Sequence, residues 1–489
     1  MTAYPFSHVE SLRDRPAAGV TRRWSVPGEW APALGTWILR LPKPVWMVVD
    51  AGLCAAGVLL GQRLFARWIP ADSLLGDANV IVATLVLAWS VVLSGLMFGL
   101  YEPATLWQRS RIAARSLLAI TVAMLMACLV LHLLMYSQVS RRAAAAGTSF
   151  YLLTAPLIRL AAHRAVITVR RGLLLLGASP TVLAIARAVR RGAVPGYRLA
   201  GIIIDRGDQP PGIPGLAFVG DPSQAESACR AHDVREVVVA AGAESSDTVA
   251  RAALACLGVG CRVTDETTFY EKCFGEVPAA GVTPQWFLRA DLKGHLDEHA
   301  TAKRCFDAVI AALGLVASLP LWPVIMLAIA LESRGSIFYS QVRVGQAGRL
   351  FRIHKFRTMR RDAEANGCAW SSADDPRVTR VGRVLRRLRL DEIPQLWNIL
   401  KGEMSIVGPR PERPEFVAPL STLIPFYNER HLVKPGLTGW AQINFRYGSS
   451  VEDARRKLQL DLHYIKHMCF ELDLVICLRT FGMLVTGAC

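Results

Sequence analysis

Charge is scarce in this 489-residue chain: Asp, Glu, Lys and Arg together make up 19% of it, against roughly 25% in an ordinary soluble domain. Paired cysteine spacing is missing too. Eleven cysteines are scattered, some inside apolar runs, such as Cys54 and Cys128. They read as reduced packing residues in a cytoplasmic or membrane setting, not as a metal site. His354, His431 and His463 likewise lack the spacing of metal ligands. The net charge of +17 comes without zinc spacing, a recognition-helix pattern or an aromatic-rich RNA motif, so nucleic acid is not expected as a partner. Anionic lipid and phosphorylated substrates account for the charge better. What is plentiful is apolar residue, 52% of the chain, gathered in long runs. That pattern predicts a membrane protein.

Four runs, 45–60, 80–100, 117–136 and 148–169, approach the length of a bilayer span. The fourth contains Arg159, His163 and Arg164, so its lower half is expected to emerge into the interface or to tilt. Arg13, Arg15, Arg22, Arg23, Arg40 and Lys43 precede the first run; Arg109, Arg111 and Arg115 lie between the second and third; Arg170 and Arg171 follow the fourth. The positive-inside rule then places the N-terminus and everything after Arg171 in the cytoplasm. The first residues are polar, so no cleavable signal peptide is expected. A fifth run, 306–331, is interrupted by Pro320 and Pro323 and flanked on both sides by cations: Lys303 and Arg304 before it, Arg334, Arg343, Arg349 and Arg352 after it. Halves of about a dozen residues rise roughly 18 Å each, partway across a core of about 30 Å. A re-entrant helix bent at the prolines is expected, with a kinked spanning helix as the alternative.

Between residues 172 and 300 short apolar runs alternate with amphipathic stretches: strands at 173–176, 199–205, 217–220 and 236–240, and helices up to Arg191 and over 224–232. This βαβ succession predicts a parallel sheet. Gly177 opens a turn resembling a dinucleotide fingerprint, but the second and third glycines are absent, which argues against a bound dinucleotide and for a structural or regulatory Rossmann-like module.

The densest chemistry lies in Arg386-Arg-Leu-Arg-Leu-Asp391-Glu392-Ile-Pro394, with Pro394 suited to the first turn of a helix and Gly402 to its stop. Adjacent carboxylates are costly unless cations or a metal hold them. Arginines and Mg²⁺ would supply that, in a site suited to phosphate; the bland alternative is solvated charge on a turn. Around it stand Lys303-Arg-Cys-Phe-Asp307, Gln341-Val-Arg-Val-Gly345, Lys355-Phe-Arg-Thr-Met359, Ser405-Ile-Val-Gly-Pro-Arg410-Pro-Glu412 and Lys434-Pro-Gly-Leu-Thr-Gly-Trp440-Ala-Gln-Ile-Asn444. In this order the motifs resemble those of the bacterial sugar transferase family, monotopic phosphoglycosyl transferases. The upstream spans and Rossmann-like module resemble its larger members, which initiate exopolysaccharide or O-antigen repeats. Members usually carry Ser-Pro at the membrane-helix break; here Leu319 precedes Pro320 and the serine is Ser318, so the bend is expected to survive with the serine's hydrogen bond shifted.

The resemblance implies that Asp391 is the nucleophile and Glu392 a Mg²⁺ ligand. Asp391 would attack a UDP-sugar, form a phosphosugar-aspartate and release UMP, and undecaprenyl phosphate would then take the sugar phosphate. Lys355 and Arg357 alternate onto one face of a strand, and the family uses that lysine at its active site. Arg386 and Arg410 suit forked binding of phosphate oxygens. For Arg383, Arg386, Arg387 and Arg389 as a run, a solvated or headgroup-binding helix face is the alternative. Arg446 and Asp461 match later family positions, as a phosphate or nucleotide contact and an acid near the site. Trp440 reads as a packing or interfacial residue, and 470–484 as an amphipathic helix on the cytoplasmic leaflet.

The expected architecture is therefore a cytoplasmic segment (1–44), a four-span membrane α-helical bundle (45–171), an α/β Rossmann-like cytoplasmic domain (172–300) and a mixed, mainly α catalytic domain with a re-entrant membrane helix (301–489). The setting is the bacterial inner membrane, multi-pass, with the catalytic domain facing the cytoplasm. Expected partners are a UDP-sugar donor, undecaprenyl phosphate and membrane lipids, with homo-oligomerisation open. The rival readings are a non-catalytic scaffold of a polysaccharide export complex and a nucleotide-sugar oxidoreductase, which would need a complete glycine fingerprint.

Overall fold

An apolar run of bilayer length must satisfy its own backbone groups, which a helix does, and all four early runs are helical over most of their described residues. The computed structural model describes residues 30–65, 77–101, 106, 109–133, 141–194, 196–204, 218–243, 246–290, 292–360, 363, 375–445 and 450–486. The chain divides into two units, Met1–Glu266 and Thr267–Cys489. The first begins with α1 (Trp30–Arg40), α2 (Lys43–Phe65), α3 (Asp77–Met97), α4 (Arg109–Leu133) and α5 (Arg141–Val166). Cys54, Val58, Leu87, Val91, Ile120, Ala123 and Tyr151 form the interior. Outward faces carry Leu59, Leu85, Trp89, Leu125 and Leu157, each more than half exposed, so these helices are apolar on both sides.

By length and composition α2 and α4 can each cross a membrane, over Lys43–Leu60 and Ile112–Val130, and α3 has the shorter apolar stretch Thr84–Met97. Helix α5 contains Arg159, expected where the run emerges into the interface or tilts; the structure buries that arginine among the helices. It is 2% exposed, with Nη2 2.7 Å from Asp50 Oδ2 and Nη1 donating to Oδ1 at 3.1 Å. Tyr101 donates its hydroxyl to the same carboxylate at 2.9 Å. The forked pair between α2 and α5 replaces the hydration an interface would have given.

The rest of the first unit is α/β: β1 (Arg171–Leu176), α6 (Pro180–Arg190), β2 (Tyr197–Ile203), β3 (Phe218–Gly220), α7 (Ala225–Ala231), β4 (Val234–Val239), α8 (Asp247–Gly258) and β5 (Arg262–Asp265). The strands form one parallel sheet ordered β3-β2-β1-β4-β5. Leu173, Leu174, Leu175 and Leu176 are all at most 1% exposed; such an unbroken apolar run marks a parallel strand covered on both faces. Ser179 caps α6 by accepting from Val182 N at 3.0 Å and donates its hydroxyl to Glu266. A carboxylate of the chain itself thus stands at the helix start where a dinucleotide phosphate would bind.

The second unit holds α9 (Glu266–Phe274, from Thr267 onward), α10 (Pro284–Arg289), α11 (Leu292–Ser318), α12 (Leu321–Glu332), β6 (Phe338–Val344), β7 (Leu350–Phe356), α13 (Arg380–Arg387), α14 (Gln395–Lys401), β8 (Ser405–Val407), α15 (Pro414–Leu423), β9 (Gly436–Thr438), α16 (Trp440–Asn444), α17 (Val451–His467) and α18 (Phe470–Thr486). Residues 267–300, grouped by composition with the central domain, lie in this unit. Val277, Trp286 and Leu292 share one core with Ile399, Val407, Leu462 and Ile465. Helices α11 and α12 meet at Leu319-Pro320 with a bend of 64°. Pro320 cannot continue the α11 ladder; Ser318 Oγ donates to Leu315 O at 2.9 Å and accepts from Trp322 Nε1 at 3.2 Å, tying the two sides of the break.

Arg159→Met leaves Asp50 charged and buried, and should destabilise the bundle by about 3–5 kcal/mol. The combined Asp50→Leu, Arg159→Met variant should recover most of that loss, as read from thermal unfolding in detergent; equal losses in the two would contradict the pairing.

Candidate active site

Asp391 and Glu392 lie in a 3-10 turn, Leu390–Glu392, immediately ahead of α14. Both are buried, 6% and 7% exposed. The turn is entered through Arg389 in the left-handed region, φ 56°, a conformation that strains a non-glycine residue and is retained where the surroundings demand it. Below the turn Leu390 and Ile393 pack on a cluster of Ile325 and Ile329 from α12, Phe356 from β7 and Leu385 from α13. Glu332, the last residue of α12, caps α13 by accepting from Arg380 N at 2.6 Å and Val381 N at 2.9 Å. The bent apolar helix pair is thereby joined to the carboxylate turn through direct contacts.

The two carboxylates have different surroundings. Glu392 Oε1 meets Lys355 Nζ at 2.9 Å and Arg410 Nη2 at 3.3 Å, and Oε2 meets Arg389 Nη1 at 3.5 Å. Burial alone would raise its carboxyl, but Lys355, Arg410 and Arg389 hold it well below the usual carboxylate range. Asp391 makes no ion pair among the described residues. Burial pushes its carboxyl up, with Lys355 pulling against that and Glu392 adding to it. One member of the pair is pinned ionised and its neighbour is the more basic, the division of environments that lets adjacent acids take separate roles.

Of the other expected site residues, Arg386 is brought near through Thr358, to whose hydroxyl its Nε donates at 2.9 Å, and its charge acts on Asp391. Arg383 and Arg387 face outward, so the arginine run divides between site and surface. Arg357 lies beyond the end of β7 and turns from the pair: its Nη2 donates to Ser333 O at 2.7 Å and Ser333 Oγ at 2.8 Å, tying the segment after α12. Asp461 is 1% exposed and pairs with Arg430 at 2.8 Å; burial lifts it to about 6 despite that partner. Arg430 Nη2 also donates to Arg410 O at 3.2 Å, so Asp461 reaches the pair only through the backbone of Arg410. Arg446 lies outside the described residues.

Several motif residues prove to be joints. Asn398 accepts from His354 N at 3.2 Å and donates to Arg352 O at 2.8 Å, docking α14 on β7 and fixing Lys355 against Glu392. Arg304 donates to Ile399 O at 2.7 Å and Leu400 O at 2.6 Å, capping the end of α14. Asp307 accepts from Ile406 N at 3.0 Å and Lys303 pairs with Asp473 at 2.5 Å. Gly408 and Gly436 sit back to back, and a Cβ on Gly436 would come within 2.1 Å of Gly408 N; only glycine lets the β8 and β9 motifs close up behind Arg410. Arg430 went unnoticed in the sequence because it lies at no motif spacing that signals charge chemistry; Asn398 ends the motif that begins at Arg386, but its neutral side chain gave no sign of a joint.

Hard carboxylate oxygens are the donors Mg²⁺ takes. Glu392 Oε2, with its single long contact to Arg389, is an oxygen donor of the kind that fits this ion.

Fold and site define a domain that gathers a buried carboxylate pair and its cations against a bent apolar helix pair. Residues 298–487 match the family model "Bacterial sugar transferase". Over 186 residues the chain is 42% identical to a UDP-glucose:undecaprenyl-phosphate glucose-1-phosphate transferase of Caulobacter vibrioides, covering 38% of this chain and 70% of that one. It is 41% identical over 194 residues to the exopolysaccharide production protein ExoY of Sinorhizobium fredii, covering 37% and 83%. It is 43% identical over 189 residues to a UDP-N-acetylgalactosamine-undecaprenyl-phosphate N-acetylgalactosaminephosphotransferase of Aeromonas hydrophila, covering 39% of this chain and 45% of that relative, less than half its length. The chain belongs to the bacterial sugar transferase family.

Asn398→Leu strands two partly buried backbone groups at the α14–β7 joint and should lower stability by about 1–3 kcal/mol. The thermal midpoint in detergent checks this; an unchanged midpoint would remove Asn398 from the scaffold.

Proposed function

We propose that the second unit transfers a hexose 1-phosphate from a UDP-sugar to undecaprenyl phosphate, releasing UMP, as the initiating step of exopolysaccharide or O-antigen repeat synthesis. The observation that carries this reading is the asymmetry of the pair: Glu392 is caged by three cations, while Asp391, as deeply buried, has no ion pair among the described residues and the more basic carboxyl. A desolvated, unpaired carboxylate is a nucleophile. The relatives' names, which specify sugar-1-phosphate transfer to undecaprenyl phosphate, support the same chemistry.

Asp391 attacks the phosphorus next to the sugar. A bond from its carboxylate oxygen to phosphorus forms, the bridging bond to UMP breaks, and the electron pair leaves on UMP. An oxygen of undecaprenyl phosphate then attacks the same phosphorus and restores the carboxylate. Two steps let an aqueous donor and a lipid acceptor use one site in turn. Lys355, Arg386 and Arg410 hold the phosphate oxygens, and Arg446 is assigned a further phosphate or nucleotide contact. Glu392 would hold Mg²⁺, which when bound would neutralise charge on the diphosphate.

The membrane arrangement belongs to this proposal. Four spans are assigned to α2–α5, the fourth admitted because Asp50 neutralises Arg159 inside the bundle. The strand order β3-β2-β1-β4-β5 supports a Rossmann-like domain. Helix α12 has 12 residues and rises roughly 18 Å, short of a crossing, which with the 64° bend supports a re-entrant pair entering from the cytoplasmic face of the bacterial inner membrane.

Membranes containing the protein should release UMP from a UDP-hexose with Mg²⁺ present, and Asp391→Asn should abolish release; turnover retained in that variant would sink the nucleophile assignment. Because burial raises Asp391, kcat/KM should fall on acidification at a pH above the ordinary aspartate value of about 3.9. Arg389→Gln removes a cation that lowers it, so the acid limb should move to higher pH.

Single cysteines placed before and after the α11–α12 pair should both be labelled from the cytoplasm. Labelling of one flank from the other side would mean that the pair spans.

A further inference from the structure

Away from the carboxylate pair, another cluster brings ligand chemistry together. Glu271 of α9 and His463 and His467 of α17 each offer a ligand atom, all within 4.8 Å of one another. The two histidines are four residues apart and so share one face of the helix. Glu271 is 1% exposed. Its Oε1 accepts from Trp286 Nε1 at 2.8 Å and Lys466 Nζ at 3.1 Å, and its Oε2 from Lys466 Nζ at 2.8 Å, with His467 Nε2 at 3.0 Å.

His463 supplies an independent sign of a ligand. The residue is 9% exposed, packed beside the Trp440 ring at 5.8 Å, and among the described residues its Nδ1 has no hydrogen-bond partner. A buried ring nitrogen left unpaired is costly unless something meets it. His467, with 45% of its side chain exposed, gives a way in from solvent.

We propose that Glu271, His463 and His467 form a site for a divalent transition-metal ion of the zinc class. Two imidazoles and one carboxylate are the donor set of such ions, with a fourth position left for water; Mg²⁺, which requires oxygen ligands, is disfavoured. Zinc bonds of about 2.0–2.2 Å require the three donors to draw closer than they stand, and the exposed His467 is the side chain with room to move. Lys466, 20% exposed, neutralises Glu271 without the ion and swings outward when a metal takes a carboxylate oxygen. The ion would clamp α9 to α17, where Trp440 already donates to Gly275 O at 2.6 Å. Its role is separate from that of the Mg²⁺ proposed at Glu392, and its presence is read without turnover.

The test uses the full chain, purified through a tag without histidines, in detergent, stripped with chelator and then equilibrated with micromolar free zinc. Metal content by mass spectrometry should rise by about one equivalent per chain relative to His467→Gln, an exposed substitution that the fold should accept. Zinc should also raise the unfolding midpoint of the parent but not of His467→Gln, and Co²⁺ in its place should give the visible absorption of a tetrahedral site. Equal zinc content in parent and His467→Gln, or a midpoint that zinc moves equally in both, would overturn the proposal.

Discussion

The three cations on Glu392 are the constraint around which the second unit is arranged. Two adjacent carboxylates cannot both be buried and ionised without compensation, and here it comes from β7 through Lys355, from the turn itself through Arg389, and from the loop between β8 and α15 through Arg410. Each cation must be held where it stands. Asn398 holds β7 to α14, Arg430 holds the backbone of Arg410 from one side, and Arg343 donates to Pro411 O at 3.1 Å from the other. Asp461 in turn neutralises Arg430. The buried polar network exists to place charge and has little to do with holding the hydrophobic core, which is supplied elsewhere by residues such as Val407, Leu462 and Ile465.

The apolar helix pair is part of the same arrangement. Ile325 and Ile329 of α12 pack beneath the turn that carries the carboxylates, Glu332 caps α13, and Arg304 at the start of the apolar run caps α14. If this pair enters a membrane as proposed, its connections to the site at both ends would fix the height of the carboxylates relative to the apolar layer. For a reaction between an aqueous diphosphate and a lipid phosphate, that height decides whether both can arrive.

Much was legible in the linear pattern because it rests on local or periodic physics. Helix-length apolar runs, the alternation of strands and helices in the central domain, the stop at Gly402 and the break before Pro320 all follow from backbone hydrogen bonding and from what proline and glycine permit. The carboxylate pair and its neighbouring cations were likewise visible as adjacent like charges that need a partner. Less legible were the partners themselves. Arg357 and Lys355 are two residues apart, yet one ties Ser333 and the other meets Glu392; the strand ends between them, so the alternation that put them on one face no longer applies. Arg159, expected where its run emerges into the interface or tilts, is buried against Asp50, 109 positions away.

By itself the sequence determined the element types, the apolar runs and the identity of the charged groups, because these depend on side-chain chemistry and on contacts within a few residues. Only the tertiary structure decided which charge meets which. It assigned three ion-pairing cations to Glu392 and, among the described residues, no ion pair to Asp391, made Asp461 a support for Arg430, and brought His463 and His467 to Glu271 from far along the chain, although His463 had shown no metal spacing in the sequence. Coulombic partnership depends on distance in space and on burial, and neither is written in sequence separation.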